Sequence, residues 1–293
     1  MLSHSLRCTM LVLAGALAAC KSDRRPADTE SAPATPEAAA PTPAPAPPVT
    51  VTATDFKVDL PDTLPAGVVT LRLVNQGKEL HQAQVVRLDD GKTLADFQQA
   101  LKHEGPPPSW VKFVGGPNGI APGQEATAMT VLAPGNYLVV CLIPSPDGVP
   151  HVMKGMIRPF TVSGPAGTTA ELPATDDTVR MADYAFESSH PLTSGRHTIL
   201  VQNTAQQPHE LVLLRLAPGK SIHDFGAWAT TGGMKGQPPA MPVGGVAVIE
   251  RGQSGSFTAD LTPGNYGLIC FVPDAKDGKL HLQHGMMQDI KVE

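Results

Sequence analysis

The stretch GNYLVVCLIPSPDGVPHVMKGM, residues 135–156, decides how the rest of this chain is read. It opens on a turn at Gly135-Asn136, runs through an apolar strand to Cys141, and closes on His151 and Met156. Residues 264–287, GNYGLICFVPDAKDGKLHLQHGMM, repeat it and set Cys270, His281 and Met286 at matching points.

The correspondence extends outward from there. Leu73-Val74-Asn75, with His81 six residues after Asn75, matches Val201-Gln202-Asn203, with His209 six after Asn203. Residues 91–97 match 219–225, Gly115-Gly116 matches Gly244-Gly245, and Pro134-Gly135-Asn136-Tyr137 matches Pro263-Gly264-Asn265-Tyr266. The offset creeps only from 128 to 130 residues, so one domain has been duplicated. Period-two patterning predicts strands at 49–53, 68–74, 84–88, 126–132, 137–142 and 156–162. The second copy reads the same way at 179–186, 198–202, 211–216, 255–261, 266–271 and 286–292. One short helix interrupts each copy, where Thr93 with Asp96 and Ser221 with Asp224 fit a capping box. Leu94, Phe97 and Leu101, like Ile222, Phe225 and Trp228, follow at helical spacing and read as core packing. The fold class is all-β: two tandem Greek-key β-sandwiches, at 49–163 and 170–293, each expected to fold alone.

Composition excludes other classes. The net charge is −5 with no basic run, so no nucleic-acid partner is expected. No Gly-x-Ser-x-Gly elbow occurs, and neither His103-Glu104 nor His209-Glu210 continues into a zinc-protease motif. At the N-terminus, Arg7 precedes an apolar run at 10–19 that is too short for a membrane span. The run ends in Leu17-Ala18-Ala19-Cys20, which resembles the lipobox of bacterial lipoproteins. That resemblance implies a signal peptide over 1–20, cleavage before Cys20, and anchoring to a lipid membrane through acylated Cys20. Lys21, where an Asp would signal inner-membrane retention, favours the outer membrane facing the periplasm, or the cell surface. Residues 21–48 are a Pro/Ala/Thr tract that reads as an extended, disordered tether.

A single-copper centre of the blue type takes one thiolate, two imidazoles and a weak axial thioether. Each repeat supplies that set: His81, Cys141, His151 and Met156, then His209, Cys270, His281 and Met286. With its His-x4-Met ending, the stretch resembles the C-terminal loop of plastocyanin and other cupredoxins. Its long Cys-to-His loop is most similar to that of copper nitrite reductase. The resemblance implies the cupredoxin fold for each repeat and up to two type 1 copper sites with those ligands. It departs from the small cupredoxins at Gln82 and Glu210, where they carry an Asn that braces the sulfur. His284, Met287 and Met153 offer competing ligands. Duller readings stay open: an inert buried Cys, or a disulfide between Cys141 and Cys270.

Multicopper oxidases place His before the Cys and carry His-x-His pairs. Here Val140 and Ile269 precede the cysteines and no His-x-His occurs, so the chain is expected not to be an enzyme. The leading expectation is single-electron transfer in the cell envelope with a redox partner protein. A copper-handling or copper-sequestering protein, and a metal-free binding scaffold, are the alternatives.

Overall fold

A computed structural model describes residues 46–103, 105–165, 171–231 and 235–293. The lipobox with Cys20, nearly all of the tether, and residues 166–170 between the repeats lie outside the described residues. The first repeat supplies β1 (Val49–Thr54), β2 (Lys57–Asp59), β3 (Thr63–Pro65), β4 (Gly67–Asn75), β5 (Gln84–Leu88), α1 (Leu94–Ala100), β6 (Val111–Phe113), β7 (Glu125–Leu132), β8 (Gly135–Val140) and β9 (Ile157–Ser163). The second supplies β10 (Asp177–Ala182), β11 (Ala185–Ser188), β12 (Gly195–Asn203), β13 (His209–Leu216), α2 (Ile222–Thr230), β14 (Ala240–Ile249), β15 (Ser254–Leu261), β16 (Gly264–Ile269) and β17 (Met287–Val292). No helix among the described residues is long and apolar enough to cross a membrane.

Each repeat is a sandwich. In the first, β1, β2, β4 and β7 face a five-stranded sheet ordered β3-β9-β8-β5-β6. Between the layers lie Val51, Leu71, Leu73, Val85, Tyr137, Val139 and Phe160. In the second, β11-β10-β12-β15 face β14-β13-β16-β17 around Val179, Val201, Leu213, Phe257, Tyr266 and Leu268. Strand β4 alternates buried and half-buried residues, as a strand with one covered face must. Strands β8 and β16 are apolar on both faces for a reason. Tyr137, Val139 and Cys141 point into the sandwich, while Leu138 and Val140 meet Phe97 of α1 on the outside. Helix α2 covers Ile269 likewise, and it sits so close that a Cβ on Gly267 would strike Ile222. The helix-capping boxes at Thr93–Asp96 and Ser221–Asp224 are both formed.

The repeated turn residues have a shared task. Tyr137 donates its hydroxyl hydrogen to the Ala133 carbonyl at 2.8 Å, and Tyr266 does the same to Thr262 at 3.1 Å. Each tyrosine thereby ties the entry of the cysteine-bearing strand to its own turn.

One expected element differs. Residues 179–186, read as a single strand, form the hairpin β10–β11, with Tyr184 at φ 65° in the turn between them. Phe56 occupies the equivalent turn between β1 and β2 at φ 61°. A bulky residue in the left-handed region is uncommon and is held there by its surroundings.

The repeats share one sheet. Strands β7 and β15 pair antiparallel through Met129–Ser256, Ala128–Phe257 and Thr127–Thr258, making a continuous eight-stranded layer. Beside it, Gln84 clasps the Val248 backbone, donating to its carbonyl at 3.0 Å and accepting its N–H at 2.7 Å. Gly115 donates to Val248 and Ala247 to Gly116, each at 2.9 Å.

Candidate metal centres

Three local devices bring the candidate ligands of each repeat together. The first carries the remote histidine. Asn75 Nδ2 donates to the carbonyls of Glu79 and Ile120, and its Oδ1 accepts the Gly77 N–H, folding the loop that ends at His81. Asn203 does the same with Gln207, Ile249 and Ala205 ahead of His209, which explains the repeated Asn-to-His spacing. The second is a close approach. Gly116 and Gly245 have φ of 110° and 127°, and a Cβ there would overlap the Ala83 and Leu211 carbonyls. The third is the His-x4-Met turn. A 3-10 turn, His151–Lys154, ends at left-handed Gly155. Met156 then donates to the His151 carbonyl at 3.0 Å, and Cys141 donates to Met156 at 3.2 Å. His281–His284, Gly285, Met286 and Cys270 repeat these contacts.

In the first repeat His81 Nδ1, His151 Nδ1 and Cys141 Sγ converge in a fully buried cluster. The sulfur lies 4.0 Å from His81 and 3.3 Å from His151, and the two Nδ1 atoms are 3.1 Å apart. In the second repeat Cys270 Sγ lies 3.8 Å from His209 Nδ1 and 3.5 Å from His281 Nδ1. Met156 and Met286 are fully buried in the same cores as the cysteines. Both cysteines are free, so the disulfide reading falls.

The outer edges of the rings meet carboxylates. His81 Nε2 faces Asp55 at 3.1 Å, and His151 Nε2 faces Glu79 at 2.9 Å. His209 Nε2 faces Asp183 at 3.2 Å, and His281 Nε2 stands 3.8 Å from Asp274. At His81, His151 and His209 the carboxylate is within hydrogen-bond reach and favours the tautomer with its proton on Nε2, which leaves the Nδ1 lone pair free, whereas His281 Nε2 has no hydrogen-bond partner. In the first repeat two such lone pairs would face each other 3.1 Å apart beside the sulfur, an arrangement a cation would relieve. Phe56 packs edge-on against His151, and Tyr184 against His281, so the strained turn residues close each site.

Charge follows burial. Desolvation pushes the Cys141 thiol up to about 11, and the N–H groups of Gln82 and Ile143 oppose it only in part. Cys270 is also raised, by burial first and then by the neighbouring Glu210. His81 and His209 are lowered by burial, and His281 is lowered to about 4 by burial and by His209. Burial thus favours the protonated thiol and, at His81, His209 and His281, the neutral imidazole, and taking up a metal cation releases the thiol proton. The soft thiolate, two imidazoles and a thioether fit copper.

The structure also resolves the departures noted in the sequence. The sulfur is braced by backbone rather than by an Asn side chain: Gln82 N–H donates to Cys141 Sγ at 3.5 Å. Glu210 is engaged by Phe271 N–H and Asn118 Nδ2. Met153 is exposed, Met287 packs under α2, and His284 pairs with Asp277, so none of the three joins a His-Cys-His cluster. Asp274, Asp277 and His284 form a further grouping beside the second centre. Asp274 there already accepts from Tyr184, Gln207 and two backbone N–H groups, the mark of a loop brace. Sequence reasoning missed Asp55, Glu79, Asp183 and Asp274. The repeat held a signal for one pair, since Asp55-Phe56 and Asp183-Tyr184 align at an offset of 128.

No protein-family model and no curated protein matches the chain. Among solved structures, a reduced auracyanin from Roseiflexus castenholzii is 19% identical over 39% of this chain and 95% of its own, with a TM-score of 0.29. A multicopper oxidase is 14% identical over 83% of this chain and 88% of its own, TM-score 0.23. A copper-containing nitrite reductase from Thermus scotoductus is 10% identical over 84% and 61%, TM-score 0.23. The fold is all-β, two linked sandwiches, each holding a His-Cys-His donor set suited to copper. The expectation that the chain is not an enzyme is corrected. Structures similar to it include an oxidase and a reductase, and missing oxidase motifs do not exclude activity on this fold.

Proposed function

We propose that this protein binds copper at two type 1 centres and passes single electrons within the cell envelope, held to a membrane by lipidated Cys20. The observation that carries the reading is the convergence of two Nδ1 atoms and one Sγ in each repeat, with a carboxylate beside each Nε2. His81, Cys141, His151 and Met156 would hold one ion, and His209, Cys270, His281 and Met286 the other. A copper ion held this way supplies a one-electron Cu(I)/Cu(II) couple.

The chain's part is to keep that set still and dry. The backbone bonds that join Met156 to His151 and Cys141, and His151 to Ile143, fix the ligand loop, and the carboxylates fix the ring rotations. Little then moves between oxidation states, which lowers the reorganisation that accompanies each transfer. Phe56 and Tyr184 pack edge-on against His151 and His281, and all four imidazoles are fully buried. A potentiometric titration of the copper-loaded protein tests the reading. Reversible one-electron waves for both centres, without metal loss, are expected. Release of copper on reduction contradicts electron transfer and supports copper handling.

Anchoring rests on Leu17-Ala18-Ala19-Cys20 and the tether that follows. Cys20→Ala should leave the precursor unprocessed and without acyl chains, read by mass spectrometry. Wild-type protein found wholly in the soluble fraction contradicts the anchor.

A further inference from the structure

A buried contact joins the two repeats beside both centres. Glu210 follows the ligand His209 and is 6% exposed. Its Oε1 accepts the N–H of Phe271, the residue after Cys270, at 3.1 Å. Its Oε2 accepts Asn118 Nδ2 across the seam at 3.0 Å. Asn118 is 2% exposed, and its Nδ2 also donates to the carbonyls of Leu211 and Val246, each at 3.2 Å. Two residues on, Ile120 exchanges both backbone hydrogen bonds with His81, at 3.0 and 3.2 Å.

Together these contacts make one unbroken route. It leaves Cys270 for Phe271, crosses the Glu210 carboxylate to Asn118, follows the chain through Gly119 to Ile120, and enters His81 through its carbonyl. It crosses three hydrogen bonds and makes no jump through space. A second branch leaves Glu210 covalently for His209. Electron tunnelling decays less steeply along covalent and hydrogen bonds than across van der Waals gaps.

The repeat did not create this link. Gln82 stands at the position of Glu210 in the first repeat, and Ala247 at that of Asn118 in the second. Nor does the seam require a carboxylate for cohesion. Gln84 joins the repeats with a neutral amide, and burying an ionisable acid costs desolvation that an amide avoids.

We propose that Asn118 and Glu210 are the electron-coupling bridge between the two centres, an inference that rests on both centres holding copper. One electron passes, one centre being oxidised as the other is reduced. No bond forms or breaks, no proton moves, and no co-reactant is needed.

Pulse reduction of the copper-loaded full chain tests this. A Met286→Leu background shifts the colour and potential of the second centre, so the two can be followed separately. Asn118→Ala should slow the concentration-independent exchange by about tenfold, while Gln84→Ala, which breaks the seam off the route, should leave it within about twofold. Should Asn118→Ala fail to fold, Glu210→Gln reads the same bridge. In the copper-free protein, Asn118→Ala and Glu210→Gln should be non-additive in denaturant unfolding. An unchanged rate, equal slowing by Gln84→Ala, or strict additivity overturns the bridge alone. A colourless copper-treated wild type overturns the bridge and the copper reading together.

Discussion

Asp55 and Asp183 carry the second layer of each centre, since both face the Nε2 of the remote histidine and set which ring nitrogen is left for a metal. Partners of this kind are worth about 10- to 100-fold in metal affinity. Asp55→Ala should therefore weaken copper binding at the first centre by about that factor and leave the second unchanged. Competition with a chelator, followed through the colour lost in a Cys270→Ser background, reads it. Equal affinity in the variant and its parent contradicts the bracing role. At this scale the candidate ligands were legible because Cys, His and Met are scarce and recur in order. The carboxylates were not. Acidic residues are common on any surface, and the position of Asp274 is Ser145 in the first repeat, so no shared pattern marked it.

Among the elements, α1 and α2 follow from local chemistry alone, which is why their capping boxes could be read in advance. The Asp224 carboxyl accepts the N–H and hydroxyl of Ser221 and is held below its usual value by them. The unfolded chain thus binds that proton more readily than the folded one. The stabilisation is present above the ordinary carboxylate range near 3.8 and fades as pH falls through it. In the copper-free protein, Asp224→Asn should flatten the acid limb of thermal stability relative to wild type, measured by circular dichroism. An identical limb contradicts the cap's contribution. Strand β5 matches its expected bounds at 84–88, where Val85 enters the sandwich while Val86 and Leu88 pack beneath α1. The run 179–186 misled because Asp183-Tyr184 carries no Gly or Pro to mark the turn, and Tyr184 takes a positive φ instead. Strand β14 went unread because Pro242 and Gly244-Gly245 interrupt its pattern.

Across the whole molecule, the repeats are joined by backbone pairing that leaves no side-chain signature. Strand β7 meets β15 through ladder bonds, and Gln84 reads as an ordinary polar residue until Val248 is beside it. Separated halves, 49–163 and 170–293, would expose the edges of β7 and β15, and bare strand edges seek partners. We expect the two halves, mixed in equal amounts, to associate into one species by sedimentation velocity. Two independent monomers would contradict the shared sheet. Whether each repeat holds one copper through its cysteine can be read by titrating Cu(II) into the metal-free protein while recording its absorption spectrum. An intense blue thiolate-to-copper band that saturates at two coppers per chain is expected, with neither Cys141 nor Cys270 left to react with a thiol reagent. A colourless protein whose two thiols remain free contradicts it.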